Sequence, residues 1–366
     1  MTGGETRFPC SECGADLRFQ PGTDSLECAF CGTTNALPER GAGTDHLSEL
    51  DFEKAVRDKS PAAQTHETRL GKCDNCGAEI EFGDAEHATE CAFCAAPIVV
   101  GTGLERRIKP AALIPFILSE KDARKAMTKW LGKLWFAPGG LQEYARKGRK
   151  MQGIYTPFWT YDADTKSRYK GQRGTVYYET RTVRVQVDGK MQTQQEQVQK
   201  IRWSPASGRV KRFFNDVLVL ASTSLPKSYT DALKPWNLEA LKPFSRDYLA
   251  GFHAEGYTVS LEDGYAEARH HMDNVIDGDV RTDIGGDRQQ VSNIDTTVSD
   301  VTFKHILLPV WMAAYKYRGK SYRFVVNGQS GNVKGERPYS KMKIALAIVT
   351  AIVLITIIGL VVAAKG

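Results

Sequence analysis

The eight cysteines of this chain fall into two copies of one spacing. Each copy is a C-x2-C pair, an insert of fourteen residues and a second C-x2-C pair, and the second copy lies 63 positions after the first. Two cysteines separated by two residues can hold one side of a tetrahedral ion, and a hairpin insert brings the second pair to the opposite side. The spacing predicts two structural Zn²⁺ ions, with ligands Cys10, Cys13, Cys28 and Cys31 for the first and Cys73, Cys76, Cys91 and Cys94 for the second.

Disulfides and a redox C-x2-C motif are the alternatives to zinc. Two complete sets of four cysteines with equal spacing favour metal binding over both. Four thiolates fill a tetrahedral site and leave no position for a water or a substrate, so we expect no catalytic role for the metal.

The residues around the cysteines predict two zinc ribbons, at residues 6–38 and 70–103. Glycines follow three of the four C-x2-C pairs, where a metal-binding turn often requires a positive φ: Gly14, Gly32 and Gly77. Turn signals at Pro21–Asp24 and Gly83-Asp84 predict a short hairpin within each insert. The segment Glu-Cys-Ala-Phe-Cys occurs at residues 27–31 and again at 90–94, which indicates a duplication.

The C-terminal segment 341–366 is predicted to be a transmembrane anchor. Residues 344–364 carry no charge, and thirteen of them are Ile, Leu or Val. At roughly −0.4 kcal/mol each, these side chains favour insertion by about 5 kcal/mol. A helix of this length spans about 31 Å, close to the thickness of the hydrocarbon core. A buried core helix is the alternative, although such helices rarely run this long without polar residues.

The flanks of this span predict the orientation of the protein. Lys334, Arg337, Lys341 and Lys343 precede the span and Lys365 follows it, which places the N-terminal part in the cytoplasm. The N-terminus has no apolar stretch typical of a signal peptide, and zinc-binding thiolates require a reducing compartment. We therefore expect a single-pass protein of the cell membrane with a cytoplasmic N-terminal part.

Charge is unevenly distributed along the chain. Residues 1–100 hold 8 Lys or Arg and 18 Asp or Glu, a net charge of −10, whereas residues 101–150 hold 12 and 4, a net charge of +8. Acidic ribbons argue against nucleic acid as the partner, because affinity for nucleic acid comes largely from neutralised phosphates. The basic segment could face anionic lipid headgroups, could dock on the acidic ribbons, or could be an ordinary solvated helix face.

The middle of the chain is predicted to be an α+β domain with antiparallel sheets. Residues 39–69 are interpreted as a linker with a short helix, and residues 104–340 as a domain that is either one unit or two related halves. Serine caps predict helices near 120–134 and 261–276, and a further helix is predicted at 142–150. Strands are predicted at 154–161, 175–187, 208–223 and 289–326, with a hairpin turn at Asp188-Gly189.

Motifs of catalysis are missing from the sequence. There is no Gly-x4-Gly-Lys-Ser/Thr, no His-Glu-x2-His and no Gly-x-Ser-x-Gly. The adjacent His270 and His271 would point to different sides of a helix and so would not share a metal. The six tryptophans are predicted to be core and sheet-packing residues rather than a binding platform: Trp130, Trp135, Trp159, Trp203, Trp236 and Trp311. The sequence therefore predicts a protein that is not an enzyme.

Three further segments, together with the paired acidic ribbons, carry a family resemblance. They are Gly153–Trp159, Leu308–Trp311 and Tyr322–Gly331. The chain resembles the bacterial membrane-anchored zinc-ribbon proteins, often labelled TFIIB-type zinc-ribbon or primosomal-protein-N′-like. This resemblance implies cytoplasm-facing membrane adaptors that work beside membrane-scaffold or envelope-stress proteins.

The leading hypothesis from the sequence is a membrane-tethered scaffold or adaptor whose ribbons dock protein partners. Tethering would raise the local concentration of whatever the ribbons bind. The alternative is a nucleic-acid-binding accessory protein of replication or transcription, which would show tight, steeply salt-dependent binding to DNA or RNA.

Overall fold

The fold is built around two very long antiparallel strands and a third that pairs with the first of them. In a computed structural model, the residues described are 8–37, 49–58, 65–82, 88–91, 93–94, 96–99, 104–138, 151–187, 190–317 and 320–363. Within these ranges, one large mixed sheet of twelve strands is accompanied by a three-stranded sheet, a two-stranded sheet and several helices. The predicted helix at 142–150 and the predicted turns at Gly83-Asp84 and Asp188-Gly189 lie outside the described residues.

The first cysteine-containing module, residues 8–37, has a small sheet of its own. Its strands are β1 (Leu17–Phe19), β2 (Ser25–Cys28) and β3 (Thr34–Ala36), in the order β1-β2-β3. β1 and β2 pair across the insert, with Phe19 opposite Leu26, which confirms the predicted hairpin. A short strand β4 (Leu50–Asp51) follows, and Asp51 caps the helix α1 (Phe52–Arg57) by accepting a bond from the Lys54 amide.

The second cysteine-containing module, within residues 65–99, is continuous with the large sheet. Its strands are β5 (Thr65–Lys72), β6 (Glu79–Phe82), β7 (Ala88–Glu90) and β8 (Pro97–Val99). β5 pairs with β6 on one side and with β9 (Leu104–Ile108) on the other. β7 and β8 form the separate two-stranded sheet. The chain then enters β10 (Ala112–Leu113) and the helix α2 (Glu120–Gly132).

The centre of the large sheet consists of β11 (Gln152–Val187), β12 (Lys190–Leu220) and β15 (Arg288–Tyr317). β11 pairs with β12 along its length, from Phe158 opposite Leu220 to Val187 opposite Lys190. β15 pairs with the other edge of β11 only as far as Gly174, which lies opposite Arg288. Residues 175–187 and 190–202 therefore pair with each other as a two-stranded arm, which at about 3.3 Å per residue extends roughly 43 Å.

The prediction of separate strands at 154–161 and 175–187 was wrong, because both belong to β11. Gly171 and Gly174 lie between these two runs and allow close approach of the neighbouring strands. A Cβ on Gly171 would lie 2.4 Å from the carbonyl oxygen of Gln290, and one on Gly174 would lie 2.9 Å from the ring of Trp203. Glycine inside a strand here marks close packing of a neighbouring backbone or side chain rather than a turn.

The predicted antiparallel pairing is confirmed for the three central strands, but the large sheet as a whole is mixed. β10 runs parallel to β15, and β14 (His253–Glu255) runs parallel to β11. Both parallel strands are short and reach their partner after a long excursion of the chain, which is the kind of connection that parallel pairing requires. β13 (Lys242–Pro243) extends the sheet beyond β10, while β16 (Lys320–Asn327) and β17 (Val333–Gly335) extend it beyond β15.

Helices cover parts of this sheet. The predicted serine caps are confirmed: Ser119 accepts from the Asp122 amide at the start of α2, and Ser260 accepts from the Asp263 amide at the start of α4 (Leu261–Ile284). A short helix, α3 (Lys227–Leu233), precedes α4. α4 extends eight residues beyond the predicted end, because its buried stripe continues through Val280 and Ile284.

α4 packs along β11 and β12 through small and apolar side chains. The Tyr161 hydroxyl donates to the Leu261 carbonyl oxygen at 2.7 Å, and the Trp159 indole donates to the Val259 carbonyl oxygen at 3.1 Å. Gly264 lies directly against these two rings, since a Cβ there would be 2.5 Å from the Tyr161 hydroxyl oxygen. Gly278, two turns before the end of the same helix, is exposed with nothing within 4 Å.

The last element is the apolar helix α5 (Lys341–Ala363), whose side chains are largely exposed. Residues Lys341–Leu360 have a mean hydropathy of 2.6 and none of this window is buried in the structure, so the helix could span a membrane by length and composition. A soluble core helix of the same composition would be buried.

We predict opposite effects for alanine at the two α4 glycines. Gly264→Ala should lower the free energy of unfolding by about 1–3 kcal/mol, because the methyl group overpacks the contact with Trp159 and Tyr161. Gly278→Ala should raise it by about 0.5–1 kcal/mol, because alanine is the better helix former and the site is open. Denaturant unfolding of the full chain in detergent measures both, and equal effects would contradict the packing described for α4.

Candidate metal centres

Each predicted set of four cysteines converges in space. Within each set, the four sulfur atoms all lie within 4.8 Å of one another. In the first cluster the Sγ atoms of Cys10 and Cys31 are 3.5 Å apart, as are those of Cys13 and Cys28. In the second, the Cys73–Cys94 and Cys76–Cys91 distances are 3.4 and 3.6 Å.

These distances fit a metal rather than disulfides. A disulfide places its sulfur atoms about 2.05 Å apart. Four sulfur atoms around a tetrahedral ion with bonds of about 2.3 Å lie about 3.8 Å from one another, close to the separations observed. The two clusters can therefore each hold one metal ion, and a donor set of four sulfurs favours a metal that prefers soft ligands.

Backbone turns orient the cysteines. In the first C-x2-C turn the Cys10 amide donates to the Ala15 carbonyl oxygen at 2.7 Å and the Gly14 amide donates to Cys10 at 2.9 Å. The same pair of bonds occurs at Cys28 and Cys73. Gly14, Gly32 and Gly77 have φ of +71°, +73° and +75°, which confirms the predicted role of these glycines.

Hydrogen bonds and burial set the thiol pKa values unequally. Hydrogen bonds from Thr33 lower the pKa of Cys31 to about 6. Burial acts to raise the pKa of Cys94, but hydrogen bonds from Asn75 and the Ala96 backbone outweigh it and lower the pKa to about 7. Burial raises the pKa of Cys76 to about 11. Each cluster thus contains one cysteine that is readily deprotonated, which favours the first step of metal binding.

Each cysteine cluster lies in an apolar core that it shares with the large sheet. Cys10 and Cys28 are buried in a cluster with Leu113 and Tyr248, where the Phe19 ring meets the Tyr248 ring edge-on at 5.2 Å. The first module is also bound by hydrogen bonds from the Phe19 amide to the Ala250 carbonyl oxygen and from the Gly22 amide to the Phe116 carbonyl oxygen, both at 2.9 Å.

The second cluster is joined to the sheet more directly. Cys73 and Cys91 are buried in a group that includes Ile154, Val310 and Leu233. β6 also pairs with β14, with Ile80 opposite Glu255. The hairpin that carries Cys73 and Cys76 is therefore part of the same sheet as the central strands.

The repeated segment Glu-Cys-Ala-Phe-Cys has different surroundings in the two modules. Phe93 of the second copy is fully buried, in the same apolar group as Leu225, Tyr229 and Leu233. Phe30 of the first copy is 84% exposed, next to the exposed Cys31. The repeat is visible in the sequence but this difference is not, because the five residues are identical in the two copies.

A buried group of charged side chains adjoins the second module. Burial raises the pKa of Glu81 on β6 and of Glu255 on β14 to about 7. Burial also lowers the pKa of His305 on β15 to about 4. Arg107 forms a 2.7 Å ion pair with Glu79 nearby. Glu255 accepts a hydrogen bond from the Ser222 hydroxyl, and its other oxygen has no protein partner among the described residues.

The histidines and tryptophans singled out in the sequence have definite positions. His270 and His271 are neighbours on α4, with ring centroids 6.5 Å apart. Trp159 and Trp311 are buried as predicted. The prediction was wrong for Trp135, which is 82% exposed because α2 ends at Gly132 and the chain carries this residue beyond the core.

Comparison with known proteins shows similarity to a distant relative. Uncharacterized protein YdjG of Bacillus subtilis strain 168 is 28% identical over 339 residues, which is 92% of this chain and 92% of that protein. No protein-family model matches the chain. No solved structure matches it.

We predict that the reduced protein binds about two metal ions per chain, as two sites of four thiolates require. Cys28→Ser and Cys91→Ser should each bind about one, because three thiolates hold the ion far less tightly. Elemental analysis of purified protein measures this. Each variant should also lower the Tm of the whole protein, since both clusters share their cores with the sheet.

Thr33→Val is the matched control for the metal measurement. It removes the hydroxyl that contacts Cys31, whose Sγ lies 3.2 Å from the Thr33 Oγ1, but keeps all eight sulfurs. We expect two ions in this variant. A metal content near zero in freshly purified, reduced wild-type protein would contradict the assignment of both clusters.

We predict that Glu255→Gln alters the pH dependence of stability. The folded-state pKa of about 7 lies above the ordinary value of 4.5, so the folded protein keeps a proton that the unfolded chain loses between these pH values. The contribution of this carboxyl to the free energy of unfolding is largest below about pH 4.5. It decreases as the pH rises and is lost above about pH 7, a total decrease of roughly 1–3 kcal/mol.

Glutamine cannot ionise. The difference between the Tm of Glu255→Gln and the Tm of the wild type should therefore shift in favour of the variant as the pH rises from 5 to 8. The exposed Glu67→Gln on β5 is the control and should leave the difference near zero. Thermal unfolding in detergent at a series of pH values measures both. A pH-independent difference for Glu255→Gln would show that its carboxyl is ionised in the folded protein throughout.

Proposed function

We propose that this protein is a membrane-tethered, cytoplasm-facing adaptor whose two zinc ribbons serve as rigid supports and whose first ribbon docks a protein partner. The metal in both ribbons is zinc, has a structural role and takes no part in catalysis. The chain belongs to the cell membrane as a single-pass protein.

Closed coordination supports a structural role for the metal. All four donors of each cluster are cysteine sulfurs from the protein, which leaves a tetrahedral ion without an open position. Modules of about thirty residues bury too little apolar surface to be stable alone, and a structural zinc contributes about 10 kcal/mol or more to folding such units. Zinc is the ion that most commonly occupies sites of this composition.

The observation that carries the docking proposal is the contrast between Phe30 and Phe93. The same phenylalanine of the same repeated segment is fully buried in one module and 84% exposed in the other. In the second module an apolar group that includes Leu225, Tyr229 and Leu233 surrounds Phe93. A large aromatic side chain held at the tip of a rigid metal-binding turn is well suited to anchor a partner.

The charges around Phe30 indicate the chemistry of this partner. Residues 8–37 carry a single basic residue, Arg18, against four acidic ones: Glu12, Asp16, Asp24 and Glu27. Asp24 is paired with Lys242 of the body, and the remaining acidic groups would favour a partner with basic residues around an apolar contact. The same charges disfavour nucleic acid, whose phosphates the first module would repel.

The apolar helix α5 supports the membrane location. None of the side chains in its hydrophobic window is buried, and such a surface is stable in lipid rather than in water. Lys341 and Lys343 at its start, with a single lysine after it, favour a cytoplasmic N-terminal part. Docking at a tethered site raises the effective concentration of the partner near the membrane.

We predict that Phe30→Ser abolishes partner docking without unfolding the protein, because the side chain is exposed. A photo-crosslinking amino acid placed at position 31 would inactivate the metal site, so the crosslinker is best placed at position 30 itself. We expect a discrete crosslinked protein in membranes of the native host. The same partner should copurify with the wild type and be lost with Phe30→Ser.

Phe213 is the matched control, since it is 58% exposed on β12. Phe213→Ser should retain the partner, and a crosslinker at position 213 should not capture it. Equal capture at both positions, or a partner retained by Phe30→Ser, would contradict docking at the first ribbon. Tight, steeply salt-dependent binding of DNA or RNA to the full chain in detergent would favour the alternative of a nucleic-acid accessory protein.

A further inference from the structure

The base of α5 is surrounded by exposed aromatic side chains from two separate parts of the chain. Trp135 is 82% exposed and Phe136 is 41% exposed, both just after α2. Tyr339 is 57% exposed, two residues before α5. Side chains of this kind cost free energy in water and are concentrated where proteins meet the headgroup region of a bilayer.

Hydrogen bonds place these two parts at the same level. The Ser340 amide donates to the Phe136 carbonyl oxygen at 2.8 Å. The Lys343 ammonium donates to the carbonyl oxygen of Ala137 at 2.8 Å and to that of Trp135 at 3.3 Å. Ser340 precedes the uncharged run at Ile344 by four residues, which is about 6 Å along a helix. When α5 spans a bilayer, Trp135 and Phe136 are therefore at the depth of its headgroups.

Positive charge is concentrated around the same aromatic residues. The segments 129–137 and 334–343 together contain six basic residues and one acidic residue, Glu336: the basic residues are Lys129, Lys133, Lys334, Arg337, Lys341 and Lys343. Each basic residue near an anionic membrane surface contributes about 1 kcal/mol of attraction. Both the apolar and the electrostatic components of membrane binding are thus present on one surface.

An open cavity of about 500 Å³ lies between the two segments. Trp130, Leu134 and Tyr339 contribute to its lining, together with Lys334 and Arg337. The carboxylate of Glu336 also lines it and is paired with Arg323 at 3.6 Å. The Arg337 guanidinium lies 5.1 Å from the centre of the Tyr339 ring. A cavity with aromatic side chains and two cations, whose carboxylate already has a partner, fits the phosphate and glycerol region of a phospholipid better than it fits a neutral headgroup.

We propose that this surface, formed by Trp135, Phe136, Tyr339 and the cations Lys334 and Arg337, binds anionic phospholipids of the bilayer that α5 spans. It is a second membrane contact in addition to the helix. The contact limits rotation of the cytoplasmic body about α5, because a single helix alone would leave that rotation open. The inference rests on the proposed membrane location but not on the docking role of Phe30.

The test uses the full chain reconstituted in vesicles whose lipids carry bromine near the top of the acyl chains, where bromine quenches nearby tryptophan fluorescence. We expect quenching in vesicles of both phosphatidylglycerol and phosphatidylcholine, because α5 holds Trp135 at headgroup depth in each, and stronger quenching in phosphatidylglycerol. Trp135→Phe should lose most of the quenching. Trp203→Phe, which removes a tryptophan of β12, is the control and should retain it.

A second pair of variants tests the recognition of charge. Lys334→Gln with Arg337→Gln should reduce quenching in phosphatidylglycerol to the level in phosphatidylcholine. Arg209→Gln with Lys211→Gln removes two exposed cations from β12 and should leave it unchanged. Equal quenching in the two lipids would overturn the selection of anionic lipid, and unchanged quenching in Trp135→Phe would overturn the contact itself.

Alkaline extraction of the same vesicles separates this inference from the proposed membrane location. A chain that resists extraction but shows no quenching of Trp135 is anchored by α5 alone, and only the lipid contact fails. A chain that is released by extraction does not span the bilayer, and the membrane location then fails as well.

Discussion

The structure depends on two sets of four cysteine sulfurs. Each set converges in a small module that buries too little apolar surface to be stable alone. Two cysteines of each cluster, Cys10 and Cys28 in one and Cys73 and Cys91 in the other, are buried in apolar cores that the large sheet completes. A small hairpin cannot exclude water by itself, and an ion can be held rigidly only by ligands that are fixed in place. Metal binding and packing against the sheet therefore stabilise each other, and the two modules are parts of the body rather than appendages to it.

The two copies of the cysteine module are attached to the rest of the protein in different ways. The second module continues the large sheet through β5 and β6, and its repeated segment is covered. The first module keeps a sheet of its own and is held by side-chain packing and a few backbone hydrogen bonds, which leaves one metal-binding turn uncovered. One copy is thus covered by the body, and the other leaves the aromatic side chain of Phe30 exposed. The docking proposal rests on this difference.

The sequence predicted correctly those features that depend on residues close together in the chain. The C-x2-C spacing, the positive-φ glycines and the caps at Ser119 and Ser260 involve residues within a few positions of one another, and the structure confirms them. Errors arose where distant residues decide. The runs 154–161 and 175–187 were expected to be separate strands although both belong to β11, and Trp135 was expected in the core although α2 ends before it. The parallel pairs formed by β10 and β14 join segments far apart in the chain, which no pattern in either segment specifies.

By itself the sequence determined which eight residues can bind metal, that they form two groups of four, and that residues 344–364 can form a helix apolar enough to cross a bilayer. These properties follow from the spacing of the cysteines and from the composition of the apolar segment. They do not depend on how the rest of the chain folds. Only the tertiary structure decided that Phe93 is buried and Phe30 is exposed, and that Trp135 and Phe136 lie beside the first turn of α5. Exposure is a property of what surrounds a side chain, and part of the apolar group around Phe93, such as Leu225 and Leu233, comes from segments more than one hundred positions away.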